Sequence, residues 1–462
     1  MGEHQIGAPT ELDKLDAGFR DSRKTWLCVG KAIFWPIILL VQAVWIYFFG
    51  CLFAYGKRLG RGVLCGLCVC CSCTYKDKKF PPTHAAIGAW ENKSPEQIDS
   101  EIKWRRIGDI VAAGGKSGAK LFAGKIEPAD ICQGGLGDCW LMSALACLAN
   151  QEGAVQQVFL TKEYTNYGRY RIRLWDAPNE KWVTLTIDDW IPCNANTGQP
   201  VFAKPNGDEA WVLLLEKAMA KFKGSYANLD GGSTMWALEA LTGDYVFEFR
   251  LEPKLNKWQR REMFHRSNNT GGFDVLLRLT DDALDGDEMF STMLFYNRKR
   301  SFIAASTGSG SDKDNVNGIV QGHAYAVCNV KLVDRFQLVQ LRNPWGTFEW
   351  DGAWSDKSPL WEQHPKVKRA LDFTPGDDGT FWMEWKDFYS YYKCLDFCIR
   401  TTGFDDIAID LHEERLLCGP TIGCVMGCAR YWLCCLGIRA LFFSRKARHF
   451  EKPPAEGGCM GC

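Results

Sequence analysis

Ala32 to Tyr55, AIFWPIILLVQAVWIYFFGCLFAY, runs for 24 residues without a charge, and Gln42 is its only strongly polar side chain. Such a surface has to be withdrawn from water, into protein or into lipid. A helix of this length, at about 1.5 Å per residue, crosses a bilayer core of roughly 30 Å. A buried core helix is the competing reading, but uncharged apolar runs above about 18 residues favour the membrane. Pro36 and Gly50 sit near its ends, where a bilayer helix tolerates them. Lys57, Arg58 and Arg61 follow it. Then VLCGLCVCCSC sets Cys65, Cys68, Cys70, Cys71 and Cys73 among apolar neighbours.

The C-terminal tail repeats this chemistry in CGPTIGCVMGCARYWLCCLGIRALFFSRKARHF, which ends in Arg445, Lys446, Arg448 and His449. Of 21 cysteines, seven precede residue 75, seven follow residue 410, and seven are spread between. A disulfide-stapled secreted fold distributes its cysteines through its core. The N-terminus, MGEHQIGAPTELDKLDAGF, also lacks a cleavable signal pattern, so a reducing compartment is expected. The flanking cysteines fit palmitoylation beside apolar, basic-flanked segments. A metal cluster is the rival reading, but no histidine lies near and the spacing fits no finger. The end signals, Gly2 and CMGC, make poor myristoylation and prenylation sites.

A chain of 462 residues exceeds one ordinary core. The expected organisation is an apolar, cysteine-rich region at 1–79, two subdomains at 80–245 and 246–403, and a cysteine-rich tail at 404–462. The first subdomain opens on helical patterns at Cys139–Asn150 and Glu209–Phe222. The second reads as strands at Tyr325–Val333, Phe336–Asn343 and Leu395–Arg400. Composition changes character near Leu241–Phe249, which puts a seam there, and clefts at seams hold active sites. Ser306–Gly318, STGSGSDKDNVNG, is expected to be a mobile loop. Basic and acidic residues balance at 55 each, which argues against nucleic acid as a partner. There is no internal repeat, and GGKSG at 114–118 lacks the spacing of a phosphate loop.

Chemistry concentrates in DICQGGLGDCWLMSALACLAN, residues 130–150. Cys139 stands between a glycine-rich turn and a run with Leu141, Ala144, Leu145 and Leu148 at helical spacing. Backbone N–H groups at a helix start favour a thiolate and lower its pKa. His323, in QGHAYAV, could take the thiol proton, and Asn343, in LRNPWGTFEW, could orient that imidazole.

Together QGGLGDCWLMSALA, GHAYAV and RNPWGTFEWDGAWSD resemble the protease core of calpains, the papain-like intracellular cysteine proteases, over roughly residues 80–402. The resemblance implies an α+β core of two subdomains with the active-site cleft between them. It makes Cys139 the nucleophile, His323 the general base and acid, and Asn343 the orienting residue. Gln133 matches the side chain of the oxyanion hole, and Trp345 the gating tryptophan beside the His–Asn bond. It also implies two Ca2+ ions. Asp130 and Glu209, with a carbonyl from Gly124 or a neighbour, match the first site. Glu349, Asp356 and Asp378 match the second. The family's last acidic ligand there falls on Thr380, and Pro128 stands where the family has an arginine that pairs with that acid. Altered calcium dependence is expected from these two departures.

The resulting expectation is a calcium-dependent endopeptidase making limited cuts in protein substrates at the cytoplasmic face of a membrane. Membrane lipids are its second partner, through residues 32–55 and acylated cysteines. The alternative is a calpain-like scaffold or regulatory binding protein of little catalytic power.

Overall fold

The computed structural model describes residues 74–116, 118–267 and 273–399. The apolar segment 32–55, both cysteine-rich flanks and the tail lie outside the described residues. Helix α1 spans Cys139–Ala149, and every residue from Trp140 to Ala149 is buried. A helix apolar on all sides belongs in the middle of a protein rather than at its surface. The turn that feeds it depends on Gly134, where a Cβ would collide with the Phe202 backbone carbonyl. Helix α2 spans Trp211–Lys223 and stops at Gly224, whose φ of 102° is the left-handed stop expected of glycine. Glu209 therefore precedes this helix instead of opening it, because the chain is still turning at Ala210. Helix α3 spans Thr234–Thr242 and ends the same way at Gly243.

Around these helices lie two antiparallel strand pairs. Strand β1 (Ile102–Arg106) pairs with β4 (Trp190–Asn194), and β2 (Arg169–Asp176) pairs with β3 (Lys181–Asp188). They close a first hydrophobic core around α1 and α2.

A second core lies on an eight-stranded sheet. Its strands are β5 (Tyr245–Glu252), β6 (Lys257–Ser267), β7 (Phe273–Leu284), β8 (Phe302–Ser306), β11 (Ala324–Val333), β12 (Phe336–Arg342), β13 (Thr380–Glu384) and β14 (Cys394–Ile399). The spatial order is β13-β12-β11-β8-β14-β5-β6-β7, with every neighbouring pair antiparallel. Helix α4 (Gly286–Arg298) packs on it, opened by a capping box between Asp285 and Glu288. Phe247, Tyr296 and Phe397 fill the space between, with the two phenyl rings stacked at 5.2 Å.

Helix α1 is the wedge between the cores. Phe302, Ala304, Ala326 and Cys398 on the sheet pack into the first core. The Cys147 thiol donates to the Ile303 carbonyl at 3.1 Å, and Asn150 Nδ2 donates to the Cys328 carbonyl at 2.7 Å. This is the α+β arrangement expected. One segment differs from its expectation. Within 306–318 the chain forms β9 (Asn315–Val316), which pairs with β10 (Ile319–Val320). Asn317 and Gly318 turn this hairpin with φ of 51° and 84°, as an Asn-Gly hairpin turn requires. Polar composition hid the hairpin.

Candidate active site

Cys139 is the first residue of α1, so its sulfur sits where the helix presents free N–H groups. His323 ends the approach to β11 and Asn343 follows the last residue of β12, so adjacent strands bring the two side by side. His323 Nε2 lies 2.9 Å from Asn343 Oδ1. Asn343 is fixed from its other side, since its Nδ2 donates to the Thr347 and Phe348 carbonyls at 2.6 and 3.1 Å. Its Oδ1 also accepts the Trp345 N–H at 3.1 Å. That amide orientation demands a proton on Nε2, which leaves Nδ1 of a neutral His323 as the free base. The Thr307 hydroxyl accepts the His323 N–H at 3.1 Å and pins the backbone as well.

The Cys139 sulfur meets the backbone N–H groups of Trp140 and of Ala324, the residue after His323. The structure thus brings the thiol to the strand that carries the histidine. Both N–H groups favour a thiolate, as the helix start suggests, yet burial outweighs them. The thiol is pushed up to about 11, with the Asp138 and Asp312 carboxylates adding to the rise. The expectation of a lowered thiol pKa is therefore corrected by desolvation. Burial likewise pulls His323 down to about 4, against the opposing pull of Asn343 and Asp312.

The Trp345 ring lies 4.6 Å from the His323 ring, centroid to centroid, and is tilted to it by 53°. Gln133 lies in the turn before α1, its Nε2 donating to the Leu136 carbonyl at 2.7 Å. Its Oε1 is buried and has no hydrogen-bond partner among the described residues. Its backbone N–H donates to the Pro344 carbonyl at 3.0 Å, tying this turn to the asparagine segment.

The calcium candidates are less converged. Asp130 accepts from Asn206 at 3.0 Å and from the Glu127 N–H at 2.8 Å. Glu209 accepts from the Ala123 N–H and from Trp211 Nε1. Its pKa is raised, first by burial and also by Asp130. Gly124 stands beside Ala123 with a φ of 74°. Glu349 accepts the Asp378 and Gly379 N–H groups at 3.1 and 2.6 Å. Glu349 and Asp356 are both raised, first by burial and then by neighbouring carboxylates that include Asp378. The residues expected at each site are neighbours, but among the described residues no three metal-ligating side chains converge to hold an ion. The crowded carboxylates and an all-oxygen donor set suit a hard cation, with backbone carbonyls and water needed to complete any shell.

Three features escaped sequence reasoning. Asp138, the residue before Cys139, and Glu216 are both buried, and each carboxyl acts on the other's titration. Neither Asp138 oxygen has a hydrogen-bond partner among the described residues, while Glu216 accepts the Ala203 N–H at 2.8 Å, and burial raises both carboxyls. Arg342 is buried beside Asn343, and Lys217 forms a fully buried ion pair with Asp188. A charge set inside an apolar run, as in VLLLEKAMAKF or FQLVQLRN, was the available signal.

All seven cysteines of the described core are free thiols. No described helix is long and apolar enough to cross a membrane. Residues 75–399 match the family model described as calpain family cysteine protease. The chain is 35% identical over 331 residues to the calpain-type cysteine protease DEK1 of Arabidopsis thaliana, covering 70% of this chain and 14% of that protein. Calpain-14 of Homo sapiens is 32% identical over 345 residues, or 73% of this chain and 44% of that protein. Calpain-8 of Rattus norvegicus is 32% identical over 338 residues, or 70% of this chain and 42% of that protein. The chain thus spans less than half the length of each of these relatives.

Proposed function

We propose, from the premise that this chain belongs to the calpain family of cysteine proteases, that it is a calcium-responsive endopeptidase cutting proteins at the cytoplasmic face of a membrane. The reaction is hydrolysis of a peptide bond through the thiol. Cys139 attacks the carbonyl carbon as its proton passes to His323 Nδ1, and Asn343 stabilises the imidazolium that forms. Oxyanion charge is met by the side-chain amide of Gln133 and the Cys139 N–H. His323 then protonates the leaving amine. Water, deprotonated by the same imidazole, releases the acyl group and restores the thiol. The observation that carries this reading is the His323–Asn343 bond on the strand whose Ala324 N–H meets the Cys139 sulfur.

Calcium would be held by Asp130 and Glu209 with the Gly124 carbonyl, and more weakly by Glu349, Asp356 and Asp378. It would supply positive charge that relieves the repulsion among these carboxylates and stiffens their loops. Thr380 offers no carboxylate to the second site, so the first carries the greater share. Membrane attachment rests on residues 32–55 and the flanking cysteines.

The test is cleavage of casein by the full chain in vesicles, with calcium or a chelator, beside Glu209→Gln. Activity that rises with calcium and shifts to higher calcium in Glu209→Gln supports the reading. Chelator-insensitive cleavage removes calcium from it. Desolvation that pushes the Cys139 thiol up and His323 down is what favours a scaffold instead, and a folded chain with no cleavage at any calcium level would establish that.

A further inference from the structure

Arg342 is 1% exposed, yet among the described residues no carboxylate bonds its guanidinium, and Asp378 and Glu349 act on it only through space. A buried cation without a paired anion is costly, so what it does bond indicates what it is kept for. Nε donates to the Pro128 carbonyl at 3.2 Å and Nη2 to the Ile131 carbonyl at 3.2 Å. Nη1 donates to the Asn343 carbonyl at 2.5 Å. Two of its three acceptors therefore lie on the loop from Pro128 to Gln133, more than 200 residues away in the chain. The third belongs to the residue that orients His323.

The next two residues continue the pattern. Asn343 holds the imidazole, and the Pro344 carbonyl accepts the Gln133 N–H at 3.0 Å. Cys132 is thus gripped on both sides, at Ile131 by Arg342 and at Gln133 by Pro344. The space for the guanidinium is specific as well. A Cβ at Gly379 would strike Nη1, and Gly346 lies on the same side. A methionine or leucine could fill that space, but neither could bond three carbonyls.

We propose that Arg342 is a positioning residue that sets the oxyanion loop in register with the His323–Asn343 pair, so that Gln133 reaches its donor position only while the guanidinium grips Pro128 and Ile131. The inference rests on the peptidase reading above. Arg342 does not touch the reacting atoms. Its effect passes through Gln133, and loss of the grip costs transition-state stabilisation without removing the thiol or the base.

The experiment is a double-mutant cycle between Arg342→Met and Gln133→Ala in the full chain, reading kcat and KM on a peptide substrate. A parallel assay measures the rate at which iodoacetamide alkylates Cys139, a reaction that needs no oxyanion donor. Arg342→Met is expected to lower kcat on the order of 10²-fold, as loss of an oxyanion donor does, with KM changed less than about threefold. Adding Gln133→Ala to it should then cost less than about threefold more, and alkylation should stay within about threefold of wild type. Arg342→Lys keeps the charge and reaches fewer carbonyls, so its loss should be smaller. If Arg342→Met fails to fold, the same cycle with Arg342→Lys decides. Losses that multiply, alkylation that falls with kcat, or an unchanged kcat would each overturn the proposal. Wild-type cleavage that survives in Cys139→Ser would instead strike the peptidase reading beneath it.

Discussion

The Asn343 side-chain oxygen lies 2.9 Å from His323 Nε2, and the two carbonyls bonded by its amide nitrogen prevent that oxygen from turning away. The asparagine decides which imidazole nitrogen is free to act as a base. Asn343→Ala should therefore lower kcat by on the order of 10²- to 10⁴-fold, with a smaller change in KM. It also strands two carbonyls, so steady-state kinetics should be read beside thermal unfolding. Equal loss of kcat and of folded protein would assign Asn343 to structure alone.

Burial holds His323 near 4 against an ordinary value of 6.5. The folded chain binds fewer protons here than the unfolded chain between those values, so this group's share of stability is lost as pH falls from 6.5 through about 4. Activity follows the same sign. The acid limb of kcat/KM should lie below 6.5 and toward 4, because the base stays unprotonated until then. A limb at or above 6.5 would show that the imidazole is not held neutral.

Asp138 works in the opposite direction. It is pushed up to about 7 by burial, with Glu216 pulling the other way and Asp230 adding a like charge. The stability of its protonated form is complete below 3.8 and lost as pH rises through about 7. Asp138→Asn should remove that loss. The melting temperature of the variant should decline less between pH 5 and 8 than that of wild type, and parallel declines would place the titrating group elsewhere.

Lys217 and Asp188 are both 0% exposed at their side chains, and the ammonium also bonds the Trp190 carbonyl. Removing one partner of such a pair leaves a buried charge unpaired. Lys217→Met should cost about 3–5 kcal/mol in denaturant unfolding. A loss under about 1 kcal/mol, typical of exposed pairs, would mean water reaches Asp188.

The catalytic candidates were legible because each sits in a local pattern: a glycine turn before an apolar helix at Cys139, and strand borders at His323 and Asn343. What sequence could not carry was burial and long-range pairing. The thiol was expected low because helix N–H groups are read locally, whereas the desolvation that raises it comes from the whole packed seam. Arg342 and its acceptors at Pro128 and Ile131 are remote in the chain, and no spacing rule joins them. Lys217 shows only as a charge inside an apolar run, and its partner Asp188 lies 29 residues away in the chain. The hairpin at 315–320 was signalled by Asn317-Gly318, but the polar residues around it pointed to an open loop.

Cys139 alone, of the cysteines in this chain, should perform peptide-bond hydrolysis. The most direct measurement is casein cleavage by full-length wild type and Cys139→Ser at saturating calcium, with both shown to be folded by matching circular dichroism and melting. Activity of Cys139→Ser should fall on the order of 10⁴-fold or more. Cleavage retained in Cys139→Ser, or absent from the folded wild type, would contradict it.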